Sequence, residues 1–233
     1  DIAAFSERQL DNVLSPLARL ANDVRKHGGR PLIVTDQVLA AISPVQQPSG
    51  VVAIARARAT DIRAVFAATR ATGQHLPIVL VLAGLQDPGN VGAIVRTAAG
   101  FGAAGVVAVE HTANPYSWKA LRGAMGGTFR LPIAARGTLP DVIASAGHEH
   151  LRLVAAVPHG GTPLPRLDLT VPLALILGAE GGGVSEAALA AAQDTVTIPM
   201  HAPVESLNVA IAASVILYEA SRQRTMQASR RKA

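Results

Sequence analysis

From Pro77 onward the chain repeats one pattern: a short strand-like run, in several cases continuously apolar without polar alternation, a glycine-marked turn, then a helical stretch. The runs cover 78–83, 105–109, 131–135, 151–157, 173–177 and 195–198. A strand with one wet face alternates apolar and polar residues, so runs without alternation read as strands covered on both faces. Parallel strands need crossovers of about a dozen residues, and the helical stretches at 91–99, 117–125, 139–146 and 185–193 supply them. A long helix from Ser206 to Arg224 closes the chain. The expected fold is a parallel α/β domain.

The first part is built differently. It reads as a helix over 9–26 broken near Pro16, a strand at 31–35, a short helix over 37–42 capped by Asp36, a strand at 50–55 and a helix over 61–69. The stretch 71–77 reads as a linker, which gives two domains, 1–73 and 74–233. A chain of 233 residues with 49% apolar content can fill such cores. Cysteine is absent, which excludes disulfides, thiolate-held metals and a thiol nucleophile. No apolar run approaches ~18 residues, and the first residues carry neither a basic leader nor a signal core, so a cytoplasmic protein without a membrane partner is expected.

The net charge of +5 is unevenly spread. Residues 1–75 carry nine basic and six acidic side chains, 76–221 seven and ten, and 222–233 five and none. Basic ends around an acidic body suit a polyanionic partner such as RNA or DNA, or simply a solubilising tail. In the first part Arg25, Lys26, Arg30, Arg56 and Arg58 are candidate phosphate contacts.

Two motifs carry nothing. Gly100-Phe-Gly102-Ala-Ala-Gly105 has the spacing of a dinucleotide fingerprint, but it ends a helix and precedes a strand, the reverse of what a pyrophosphate site needs. His148-Glu-His150 lacks metal-ligand spacing and reads as a solvent-facing turn. Three other segments join glycines or prolines to polar residues at strand ends. The first, from Leu85 through Asn90 and Gly92 to Arg96, leads into a helix that Asn90 can cap and where Gly92 allows close backbone approach. Arg96 lies about one and a half turns beyond Asn90, on another side of the helix. The second runs from Gly178 through Glu180 to Ser185. The third runs from Ile198 and Met200 to Ser206, Leu207 and Asn208, where the last helix opens. Turns and helix caps would account for each segment taken singly.

Taken together and in this order, the three segments resemble the SpoU (TrmH) family of RNA ribose methyltransferases in the SPOUT superfamily. Asn90-x-Gly92-x-x-x-Arg96 is similar to its first motif and Gly178-x-Glu180-Gly-x-Gly183 to its second. Ile198-Pro-Met200 through Ser206-Leu-Asn208 is similar to the third, and 115–126 to the family's middle section. More loosely, 24–56 resembles the ribosomal-protein-like RNA-binding module of some members, with a short N-terminal portion.

The resemblance implies a SPOUT-type parallel sheet with a C-terminal trefoil knot, a homodimer, and methyl transfer from S-adenosylmethionine to a ribose 2′-hydroxyl, with no metal. Ribosomal RNA of the large subunit (23S) is the expected target and transfer RNA the alternative. A non-catalytic RNA-binding protein would not need all of Asn90, Arg96, Glu180, Ser206 and Asn208, the implied catalytic set. Backbone near Gly178, Ile198 and Leu207, with Met200, is the implied cofactor site. The family's matching arginine is proposed as a general base. Because guanidinium stays protonated, Arg96 reads equally as a phosphate ligand that stabilises the developing oxyanion.

Overall fold

The structure, a computed structural model, describes residues 1–10, 15–57, 60–71 and 76–230. They fall into two compact units, 1–58 and 59–233. The division therefore precedes the stretch expected as a linker, whose residues 72–75 lie outside the described ones. The reason is burial. The helix Ile62–Ala71 sinks Ile62, Val65 and Phe66 into the core of the second unit.

The first unit runs β1 (Ile2–Ser6), α1 (Glu7–Leu10), α2 (Pro16–Lys26), β2 (Arg30–Val34), α3 (Asp36–Ile42) and β3 (Val51–Ile54). Strand β1, which the sequence reading missed, is the centre of its sheet, parallel to β2 and antiparallel to β3. Its Phe5 is fully buried against Ala21, with Leu10, Leu17, Val24 and Val51 around them. Pro16 opens α2 in its first turn, after Ser15, whose hydroxyl accepts from the Ala18 N–H. Asp36 does not cap α3. Thr35 Oγ1 takes that role, accepting from Val38 N–H, and the Asp36 carboxylate accepts from the Ser6 hydroxyl.

The second unit continues with α4 (Ile62–Ala71), β4 (Ile78–Leu82), α5 (Pro88–Gly100), β5 (Gly105–Ala108), α6 (Trp118–Ala124), β6 (Ile133–Ala134), α7 (Leu139–His148), β7 (Arg152–Ala156), β8 (Thr162–Pro163), β9 (Leu173–Leu177), α8 (Glu186–Ala191), β10 (Asp194–Thr197) and α9 (Val209–Arg230). Seven strands pair in the order β6-β5-β4-β9-β7-β10-β8, all parallel. Unbroken apolarity has the expected cause: Leu80 and Leu82 of β4 enter one core layer with α5, α6 and α9, while Val79 and Val81 enter the other with α4, α7 and α8. Every residue of β4 and β9 is buried.

Gly100 ends α5, Gly102 takes a left-handed φ of 66°, and Gly105 begins β5, so these glycines form a helix-ending turn. Gly92 has a packing role: a Cβ there would lie 2.3 Å from the Ala120 carbonyl oxygen, where α5 meets α6. No helix among the described residues is long and apolar enough to cross a membrane.

Candidate functional site

In an open parallel sheet, ligands bind beyond the carboxyl ends of the strands, where the strand order reverses. Here that point lies between β4 and β9, and the three polar segments of the sequence emerge around it. The first leaves β4. Asp87, not Asn90, is the N-cap of α5: its Oδ1 accepts from the Gly89 N–H at 3.1 Å, and Pro88 fills the first helical turn. Proline presets the helical φ and lacks a donor that would go unused there, so the helix starts earlier than the Asn90 reading places it. The same Asp87 oxygen accepts from Lys119 Nζ at 2.6 Å. That bond, then the Gly89 N–H, holds the Asp87 carboxyl below its ordinary value against a smaller desolvation effect.

The second segment leaves β9 and turns back at once. Ala179 and Gly183 exchange backbone hydrogen bonds of 3.0 and 2.8 Å, with Gly181 and Gly183 in left-handed conformations. Gly178 is forced by space, because a Cβ on it would sit 2.2 Å from the Gly183 carbonyl carbon and oxygen. This turn holds Glu180 at its tip.

The third segment ends in Asn208. Its Oδ1 accepts from Ala210 N–H at 3.0 Å and Ile211 N–H at 3.4 Å, capping α9, which starts at Val209 and not at Ser206. With its oxygen so committed, the amide nitrogen faces outward and donates to Glu180 Oε1 at 2.9 Å and Asn90 Oδ1 at 3.1 Å. Asn90 Nδ2 donates to the same Glu180 oxygen at 2.6 Å. One carboxylate oxygen and two amides thus tie the three segments together.

Two cavities flank this cluster of side chains. The larger, about 490 Å³, is lined by Gly178, Glu180, Ile198, Met200, Ser206, Leu207 and Asn208, together with the end of β7 and the apolar face of α9. The smaller, about 310 Å³, opens between 84–90 and 179–180 and includes Asn90. Ala179, Glu180 and Val209 line both. Arg96 lines neither; it is exposed on α5, where Gly127 packs against its Cα. Sequence reasoning missed Asp87 and Lys119, although Asp-Pro is itself a helix-start signature. It also missed Glu205 and His159, which line the larger cavity and carried no local signal. Among the described residues no group of His, Asp and Glu is arranged to hold a metal.

The sequence matches the SpoU rRNA methylase family over residues 77–218. A tRNA/rRNA methyltransferase of uncharacterised specificity from Synechocystis is 37% identical over 88% of this chain and 72% of its own length. The chain belongs to the SpoU family. A Bacillus subtilis relative, the 23S rRNA (guanosine(2553)-2′-O)-methyltransferase RlmP, is 35% identical over 60% of this chain and 56% of its own. The SpoU methyltransferase AviRb of Streptomyces viridochromogenes, crystallised with the cofactor AdoMet, superposes with a TM-score of 0.81 at 29% identity, over 97% of this chain and 83% of that one. The three segments that the Asn90–Glu180–Asn208 network joins all lie within the matched residues.

Proposed function

We propose that the protein is an S-adenosylmethionine-dependent RNA ribose 2′-O-methyltransferase acting on ribosomal RNA of the large subunit, and hence in the cytoplasm. The observation that carries this reading is the hydrogen-bonded set Asn90, Glu180 and Asn208 in the wall between two cavities. A transferase needs two reactants side by side with little water between them. The larger cavity suits the methyl donor: apolar Ile198, Leu207 and Ile216 for a flat heterocycle, backbone near Gly178 for its polar edge, and the carboxylates Glu180 and Glu205 for a cation. Bound there, S-adenosylmethionine supplies a methyl group on a positively charged sulfur.

The chain's own residues do the rest. Asn90 and Asn208 hold Glu180 in place, while Ser206, lining the same cavity, offers a hydroxyl to the ribose or its phosphate. Arg96 binds the phosphate next to the target ribose and stabilises negative charge developing on the 2′-oxygen. The ribose proton leaves to phosphate or water.

Arg96 lines neither cavity of its own chain, and this supports a homodimer. An exposed apolar strip runs from Phe101 at the end of α5 to Ile211, Val215 and Tyr218 of α9, with Phe101 and Tyr218 edge to face at 6.4 Å. Covering it with a second copy would bring the exposed side of α5, Arg96 included, to the interface. Our reading includes the family's trefoil knot, formed by the segments around 178–185 and 198–208. It also includes an RNA-binding role for the first unit, where Arg25, Lys26, Arg30 and Arg56 are exposed and Arg58 lies outside the described residues.

The test is incubation of the purified protein with labelled S-adenosylmethionine and RNA from a strain lacking the gene, followed by mass mapping of ribose methylation. Label appearing on a 2′-hydroxyl of large-subunit RNA is the expected result. Label on transfer RNA would redirect the target, and binding of RNA without any transfer would leave a binding protein.

A further inference from the structure

The acidic body of the second unit contains an exception. Between His111 and Pro140 there are four basic residues and no acid, so this stretch holds four of the seven basic residues of 76–221 and none of its ten acids. It also exposes two of the chain's seven aromatic residues. Trp118 is 46% exposed, Met125 70% and Phe129 84%. Trp118 and Arg122 lie one turn apart on the exposed side of α6, with the Arg122 guanidinium 6.0 Å from the Trp118 ring centre, and exposed Met125 caps the helix C-terminus. Phe129 and Arg130, both exposed, follow one turn later.

Large apolar side chains in water cost solubility unless something covers them. Flat rings beside guanidinium groups are the surface on which unstacked bases lie while phosphates are neutralised. The patch also borders the site at two places. Lys119, next to Trp118, bonds Asp87 on the smaller cavity, and Gly127, just before Phe129, packs on Arg96.

We propose that the face made by Trp118, Arg122, Met125, Phe129 and Arg130 is a single-stranded RNA platform that stacks bases flanking the target nucleotide. This rests on the RNA methyltransferase reading, and charge decides the occupant. A concentration of positive charge around exposed rings, with no acid between His111 and Pro140, fits a polyanion with stacking bases.

Trp118 is the chain's one tryptophan, so its fluorescence reports on this face alone. Titration of the full-length protein with oligoadenylate at low salt is expected to quench that fluorescence, more strongly than with oligouridylate because purines stack better. Phe129→Ala is expected to weaken binding by about 5- to 100-fold, the range for losing one stacked base. Arg122→Gln is expected to lower the slope of log affinity against log salt by about 0.7. None of these side chains lines either of the two cavities, so S-adenosylmethionine binding by calorimetry should match wild type in every variant, which also checks folding. Absence of quenching overturns the platform, whether RNA binds elsewhere or not at all. Conversion of the Phe129→Ala protein to monomers in light scattering would overturn it too, by assigning the face to a second copy. Wild-type protein that fails to bind S-adenosylmethionine would instead overturn the methyltransferase reading.

Discussion

Asn208 shows how far one side chain can be constrained at the residue scale. Its oxygen is spent on the first turn of α9, so its nitrogen must point at Glu180 and Asn90. Arg96 is constrained by nothing of the kind, being exposed and outside both cavities. Arg96→Ala is therefore expected to abolish methyl transfer while leaving cofactor affinity within about twofold. Turnover near the wild-type rate would remove Arg96 from the chemistry. Gly178→Ala should do the opposite. The added methyl would lie 2.2 Å from backbone that the Ala179–Gly183 pairing fixes, so the turn must open and the larger cavity lose its wall. Calorimetry should find cofactor affinity reduced by tenfold or more, whereas Gly100→Ala, where a Cβ meets nothing within 4 Å, should leave it unchanged.

Among the elements, α5 and α6 pack closely beside the site. Gly92 lets them touch backbone to backbone, and Asp87 then closes the open ends by capping α5 and bonding Lys119 of α6. The Asp87 carboxyl titrates below its ordinary value of 3.8 in the folded state. A lowered acid pKa means that the unfolded chain binds the proton more readily, so the stabilisation is complete above pH 3.8 and disappears as pH falls through the folded value. Asp87→Ala should accordingly lower the urea midpoint at neutral pH, with the gap to wild type closing in the acid range and narrowing with salt, because the pair is exposed. A gap independent of pH would mean that the cap does not act through the carboxylate. At the far end of the unit, α9 is held by Arg224, whose guanidinium donates to the carbonyls of Leu76, Leu169 and Val171. Burial lowers its pKa to about 10, which leaves it charged at neutral pH.

On the scale of the whole molecule, two assembly questions have separate tests. If the Phe101–Tyr218 strip is a dimer interface, the protein should run as a dimer in light scattering. Tyr218→Glu should then yield monomers that still bind S-adenosylmethionine but transfer no methyl groups, since Arg96 would no longer be delivered at an interface. Monomeric wild-type protein with full activity would defeat that reading. If the first unit docks RNA through these charges, replacing Arg25, Lys26, Arg30 and Arg56 with Gln should flatten the salt slope by about 0.7–0.9 for each phosphate no longer neutralised. An unchanged slope would assign the salt dependence elsewhere, to the tail after Arg222 or to α6.

Apart from the two-residue edge strand β8, the order of strands and helices after Pro77, and the loops that carry the polar segments, were legible because periodicity and apolar runs record how each residue is buried. Gly92 was legible for the same local reason, since a glycine among good helix formers signals a close approach. Burial patterns do not record which strand lies beside which. Residues 90 and 180 meet only because β4 pairs with β9, and 208 joins them only because α9 packs back over the same sheet end. Strand β1 was invisible for the matching reason: with two alanines and a serine in five residues, its place at the centre of a sheet comes from its neighbours. Sequence thus determined what most segments of the second unit are and which residues are polar at strand ends. The pairing of distant strands, settled by packing energy over the whole core, decided that Asn90 and Asn208 share one carboxylate oxygen of Glu180 while Arg96 stands apart.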